Sequence, residues 1–189
     1  MRTGEGEGVQ SDQRVSIRRR GVQRLAEETW GSGRSIWSSD VGDRVLIVDR
    51  IEVGERPAPQ WVAEALGLEP GAAVCVRSRR FVLDGKPVQL STSYLPAELV
   101  AGSAITRADS GPGGTYARLA ELGHKPVRFR EEIRTRMPTA EEAEQLELPS
   151  GTPVVHICRT ACAGGGRAVE VCEMTLDSAS YVLEYEFDA

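Results

Sequence analysis

Apolar and polar positions along this chain fall mostly into short alternating runs, broken by Gly, Pro and Asp, with a few stretches at helical spacing. Residues 43–55, DRVLIVDRIEVGE, are β-branched and partly alternating, which predicts a strand. PAPQWVAEALGL then reads as a helix. Pro59 suits its first turn, Trp61, Val62, Ala65 and Leu66 form an apolar stripe, and Gly67 is a natural stop. GAAVCVRSRRFVLDGKPVQLSTSYL reads as a hairpin turned at Asp84-Gly85, a pair that tolerates positive φ. SGPGGTYARLAELG is a glycine loop leading into a helix with Tyr116, Leu119 and Leu122 on one face. KPVRFREEIRTR is a strand, with Val127, Phe129 and Ile133 on one side. Arg128, Arg130, Glu132, Arg134 and Arg136 occupy the other, a charged face expected to meet water.

One phrase occurs twice. AEALGLEPGAAV (Ala63 to Val74) and AEQLELPSGTPV (Ala143 to Val154) agree at six of twelve positions, eighty residues apart. Such a repeat marks two copies of one supersecondary unit. In the second copy Thr139 and Glu142 form a capping box, and Ala143 and Leu146 face the core. PVVHICRTACAGGGRAVEVCEMTL is again a hairpin, turned by Gly164 to Gly166, and YVLEYEF is expected to close the sheet. Hairpins with intervening helices, not alternating βαβ units, predict an α+β fold: a mostly antiparallel sheet with packed helices.

At 189 residues the chain reads as one domain preceded by an arm. Residues 1 to about 14 hold almost nothing apolar and are expected to be flexible. RVSIRRRGVQRLAEETW follows, with Arg14, Arg18, Arg19, Arg20 and Arg24, and Val22, Leu25 and Thr29 at helical spacing. Contact with DNA phosphate and a solvated linker are the two readings of these arginines, and the linker is favoured. The expected division is therefore a flexible arm over 1–31 and a folded domain over 32–189. A net charge of −5 argues against the folded part gripping nucleic acid by itself. No apolar run approaches the ~18 residues of a membrane span, and MRTGEGEGVQ is no secretory signal, so a cytoplasmic location without membrane contact is expected. Cys75, Cys158, Cys162 and Cys172 form no C-x-x-C, and only His124 and His156 could assist them. They read as small buried strand residues, not metal ligands, and no cofactor is implied.

Three features could carry chemistry. GPGGT, Gly111 to Thr115, precedes a helix whose unpaired N–H groups favour an anion, with Thr115 as a further donor or as an ordinary N-cap. Arg159 shares a strand face with Val155 and Ile157, where a charge is costly unless paired. Glu170 shares a face with Cys172, Met174 and Leu176 on the neighbouring strand. Arg159 and Glu170 could form a cross-strand ion pair, or line a pocket in which Arg159 takes an anion and Glu170 takes hydroxyl or amine groups. Arg79 holds the place of Arg159 in the first copy, beside Cys75, Arg77 and Phe81. There is no G-x-S-x-G and no nucleophile–base pairing.

Four stretches together resemble the UTRA domain, the effector-binding half of GntR-superfamily regulators of the HutC type: RFVLDGKPVQLSTSYLPAELV, GGTYARLAELG, RMPTAEEAEQLELPSGTPVVHICRTA and VEVCEMTLDSASYVLEYEF. RSIW, at residues 34–37, resembles the entry into that domain. The resemblance implies a chorismate-lyase-like fold, a pocket for a small anionic metabolite, homodimerisation, and sensing without turnover. It places ligand contacts at Ser35, Arg79, Thr115 and Glu170; Arg159 joins them from strand phase. Ala117 and Leu176 stand where the family often has aromatics, which weighs against an amino-sugar phosphate. Such regulators read DNA through an N-terminal winged helix-turn-helix, and this chain carries no such segment before the domain. A lyase-type enzyme using the same pocket and a dimerising interaction module are the competing expectations.

Overall fold

A computed structural model describes residues 17–21, 23–33, 36–42 and 44–187. Ser35, one of the expected ligand contacts, lies outside the described residues. The strands are β1 (Ile17–Arg20), β2 (Leu46–Pro57), β3 (Ala73–Leu83), β4 (Lys86–Pro96), β5 (Pro126–Arg136), β6 (Val154–Ala163), β7 (Ala168–Asp177) and β8 (Tyr181–Glu184). The helices are α1 (Glu27–Trp30), α2 (Ser38–Val41), α3 (Gln60–Leu66), α4 (Ala97–Val100), α5 (Gly114–Glu121) and α6 (Ala140–Gln145).

Six strands form one antiparallel sheet in the order β2-β3-β4-β7-β6-β5. That order is its own mirror about the β4–β7 junction. β2-α3-β3-β4 and β5-α6-β6-β7 are thus the two copies signalled by the repeated phrase, each larger by one leading strand than the hairpin read from sequence. Both hairpins turn where expected, at Asp84-Gly85 (φ 50° and 84°) and at Gly164–Gly166. α3 starts after Pro59, and its C-cap Gly67 is left-handed. α6 carries the expected capping box. The apolar stripe of α3 is Val62, Ala63 and Leu66; Ala65 and Trp61 point outward, because a helix of two turns fits only one narrow row onto Val74, Val76 and Val171.

α3 and α6 cover one sheet face. The other carries α4, α5 and the N-terminal segment, over Cys75, Phe81, Leu95, Ile157, Ala161, Cys172 and Met174. On β5, Phe129 packs inward and the arginine face is exposed, as alternation requires. All four cysteines are free, Cys75 and Cys172 buried and the other two half-buried.

Two expectations need correction. β8 does not extend the main sheet; it pairs in parallel with β1 in a two-stranded sheet of its own. Nor is the basic stretch a solvated linker throughout. Ile17, Arg19, Arg24, Leu25 and Trp30 are buried, so the described part of residues 17–31 packs on the domain and is not a flexible arm. The reason is pairing: Arg19 meets Glu131, and Arg24 meets Asp40 at 3.0 Å. Arg18 and Arg20 alternate outward to Glu184.

Candidate functional site

A small cavity of about 60 Å³ lies between the sheet and its second layer, lined by Ile36, Trp37, Arg79, Gly113, Gly114, Thr115, Tyr116, Arg159 and Glu170. Four of the five expected site residues therefore meet in one place. Strand phase delivers them. Arg79 from β3 and Arg159 and Glu170 from β6 and β7 sit on the same sheet face, with Ala161 opposite Glu170 and Cys172 opposite Arg159. α5 closes the space from above, and its start brings in the glycines and Thr115.

That start is tightly built. Gly113 has φ 77° and donates its N–H to the Gly33 carbonyl at 3.0 Å. A Cβ there would lie 2.6 Å from the Trp30 carbonyl oxygen and 2.6 Å from the Ala117 methyl. Only glycine fits there. Gly113 is the N-cap and Thr115 is already inside the helix, so the N-cap reading of Thr115 fails.

The polar groups of the lining are the informative part. Arg159 and Glu170 are each 2% exposed and Thr115 9%. Among the described residues, Thr115 Oγ1, Arg79 Nε, and Arg159 Nε and Nη1 are buried without a hydrogen-bond partner, while the Tyr116 hydroxyl and the buried Glu170 carboxylate lie close enough to act on each other. Buried polar groups are nearly always paired, so unpaired ones converging on one hollow indicate a missing guest or water. The cross-strand ion pair between Arg159 and Glu170 is not formed. The carboxylate nearest Arg159 is Glu131, whose Oε1 stands 3.8 Å from Nη1. Arg79 is anchored by one hydrogen bond to Ser93 Oγ at 2.9 Å. Arg77, its neighbour on the same face, is a structural residue that donates to the carbonyls of Ile105, Arg107 and Ala108.

Aromatic rings complete the walls. Trp37 stacks on Phe81 at 4.6 Å, and the Arg24 guanidinium lies 4.3 Å over the Trp37 ring. Arg159 lies 5.5 Å from the centre of the Tyr116 ring. Burial, opposed by Arg159, pushes the Tyr116 phenol well above its ordinary value, so it stays a neutral donor. Burial works against the Arg159 charge, but Tyr116, Cys172, Glu170 and Glu131 more than offset it, and its pKa moves upward. The site thus brings a fixed cation, two hydroxyls, the start of α5 and a carboxylate to one hollow. Among the described residues no group of three His, Cys, Asp or Glu side chains is placed to hold a metal.

Two larger hollows differ in kind. One of about 470 Å³ on the opposite sheet face is lined in part by paired groups, Arg136 with Glu142 at 2.7 Å and His156 with Glu173 at 3.2 Å. The other, of about 660 Å³ beside β5, is an open apolar groove. Sequence reasoning missed Trp37, Arg24 and Glu131 around the small cavity. Glu131 was findable: it stands between Phe129 and Ile133 on an apolar strand face, the same signal that marked Arg159.

The six-stranded antiparallel sheet with a small polar cavity under a helix start has counterparts among known proteins. The UTRA domain profile matches residues 43–181. An HTH-type transcriptional regulator of Streptomyces coelicolor is 30% identical, the match covering 96% of this chain and 71% of the relative. The effector domain of PhnF from Mycobacterium smegmatis superposes with a TM-score of 0.67 at 24% identity, over 78% of this chain and 88% of that one. A GntR-family regulator from Bacillus cereus gives 0.67 at 16% identity, over 78% of this chain and all (100%) of that one. At such identities the structural likeness is one of fold. The chain belongs to the UTRA domain family, the effector-binding domains of GntR-type transcriptional regulators. Among the described residues no helix is long and apolar enough to cross a membrane.

Proposed function

We propose that the cavity bounded by Arg79, Thr115, Arg159 and Glu170 binds a small anionic metabolite as effector, in a regulator of the HutC type. The observation that carries this is the set of buried, unpartnered polar atoms facing one hollow. Arg159, Thr115 and the N–H groups at the start of α5 take the acidic end of the guest, and Glu170 takes its hydroxyl or amine. The hollow is smaller than the several hundred Å³ usual for metabolite sites, so a guest larger than a few heavy atoms must displace Ile36 and Trp37, which line it. The domain acts as a homodimer. The effector favours one dimer geometry and thereby the spacing of winged-helix segments that read DNA. Ser35, one residue before Ile36, is the fifth proposed contact.

Calorimetric titration with phosphate, phosphate esters and small mono- and dicarboxylates tests the site. Saturable binding weakened at least tenfold in Glu170→Ala, with the fold intact by circular dichroism, supports it. No saturable binding across that panel, or unfolding of the Glu170→Ala chain, refutes it. A strict monomer by light scattering counts against the dimer.

A further inference from the structure

The cavity is joined to the N-terminal segment through one shared carboxylate. Glu131, on β5, accepts hydrogen bonds from both terminal nitrogens of Arg19, Nη1 at 3.1 Å and Nη2 in a closer contact. Arg159, next to it across the β5–β6 pair, reaches the same carboxylate only at 3.8 Å, beyond hydrogen-bond range. Arg24 sits behind, paired with Asp40 at 3.0 Å and stacked on the Trp37 wall of the cavity. Arg19 and Arg24 are 0% and 1% exposed. Arg19 and Arg159 thus share the carboxylate of Glu131, with Arg24 and Asp40 beside them, while Glu170 acts on Arg159 from the cavity side.

Buried like charges that share one carboxylate repel each other strongly, because little solvent screens them. Burial above all pushes the Arg24 pKa down to about 10; Asp40 opposes this, and Arg19 and Arg159 add to it. Burial would raise Glu131, yet Arg19, Arg159 and Arg24 hold it below its ordinary value. β1 has four residues paired with β8, flanked by the bonds Ile17 N–H to Ser180 O at 2.7 Å and Gly21 N–H to Glu184 O at 2.9 Å, and the segment is further held by buried Ile17 and Leu25 and by Arg18 and Arg20 on Glu184.

We propose that Glu131 is a positioning residue shared by cavity and arm, and that neutralising Arg159 tightens the docking of residues 17–25 on the domain. In the protein at work an anion in the cavity does the neutralising; that part rests on the effector assignment above. By reciprocity a docked arm strengthens anion binding by the same factor. The N-terminal segment, not only the cavity, then belongs to the sensor.

Amide hydrogen exchange in the full chain tests this without any ligand. Arg159→Met removes the cavity-side charge while keeping bulk, and Arg159→Lys keeps the charge. The methionine variant should slow exchange at residues 17–21 by roughly tenfold, the order expected for like charges in a buried cluster. The lysine variant should match the wild type, and β6–β7 amides serve as the internal reference. Should Arg159→Met fail to fold, Arg159→Gln repeats the measurement. Unchanged or faster exchange at 17–21 in the neutral variant, or equal slowing in the lysine variant, overturns the proposal and leaves the cavity assignment standing. Failure of every anion to bind removes the effector assignment and leaves the arm coupling standing.

Discussion

Replacing Thr115 by valine changes a hydroxyl to a methyl at nearly constant shape, and the two readings of this residue give opposite signs. As an N-cap, Thr115 would lose its bond to a helix N–H, and the variant would be destabilised by about 1 kcal/mol. In the structure Gly113 is the N-cap and Thr115 Oγ1 is buried without a partner among the described residues. An unsatisfied buried hydroxyl costs about 1–3 kcal/mol. The cavity of about 60 Å³ exceeds the ~10–15 Å³ that one water needs, so water recovers part of that cost. The net expectation is that Thr115→Val is more stable by about 1 kcal/mol, a rise in Tm of roughly 2–4 °C for a domain of this size. Urea titration and scanning calorimetry read the stability, and parallel titration with small anions reads the function, which should weaken. The same residue would then subtract from stability and add to binding. A loss of 1 kcal/mol or more would show that the hydroxyl is paired in the free domain, and the argument from unpartnered groups would fall.

Two further expectations concern the second copy of the repeat. Glu147 occupies a left-handed position, φ 52°, where the first copy has Gly67 at 66°. Glu147→Gly should raise stability by about 0.5–1 kcal/mol in urea unfolding, since its exposed 3.9 Å contact with Arg80 contributes little; an unchanged or lower midpoint would show that the backbone there is unstrained. Glu142 is held down to about 2 by Arg136, with Thr139 and Thr175 assisting. Its folded value is depressed, so its contribution is complete above about 4.5 and disappears as pH falls through about 2. Solvent reaches the pair, which limits the effect to about 1 kcal/mol, and Glu142→Gln should flatten the acid limb of Tm against pH by that amount.

Local chemistry in this chain is easy to read where it is local. The Asp84-Gly85 turn, the Thr139 cap, the Gly67 stop and the alternation on β5 all act within a few residues, and all stand where sequence puts them. The repeated phrase even carries the sheet order, since two like units packed about a common axis give its mirror arrangement. Strand phase placed Arg159 and Glu170 on one face, and that face holds the cavity. What escaped depended on distant partners. β8 looks like one more strand of the main sheet, and only the parallel partner β1, more than 160 residues away in sequence, decides otherwise. Arg19 and Arg24 look like surface arginines until Glu131 and Asp40 are seen opposite them. Composition alone cannot tell a solvated basic stretch from one whose charges are matched across the fold.

The junction between the halves is the narrowest seam of the sheet: β4 and β7 share six paired positions, against ten between β3 and β4. The proposed guest, held by Arg79 from one half and by Arg159 and Glu170 from the other, would span that seam like a rivet. Shear of the halves past each other would then be resisted most when the hollow is full, and the domain's softest mechanical mode would be the one its effector stiffens.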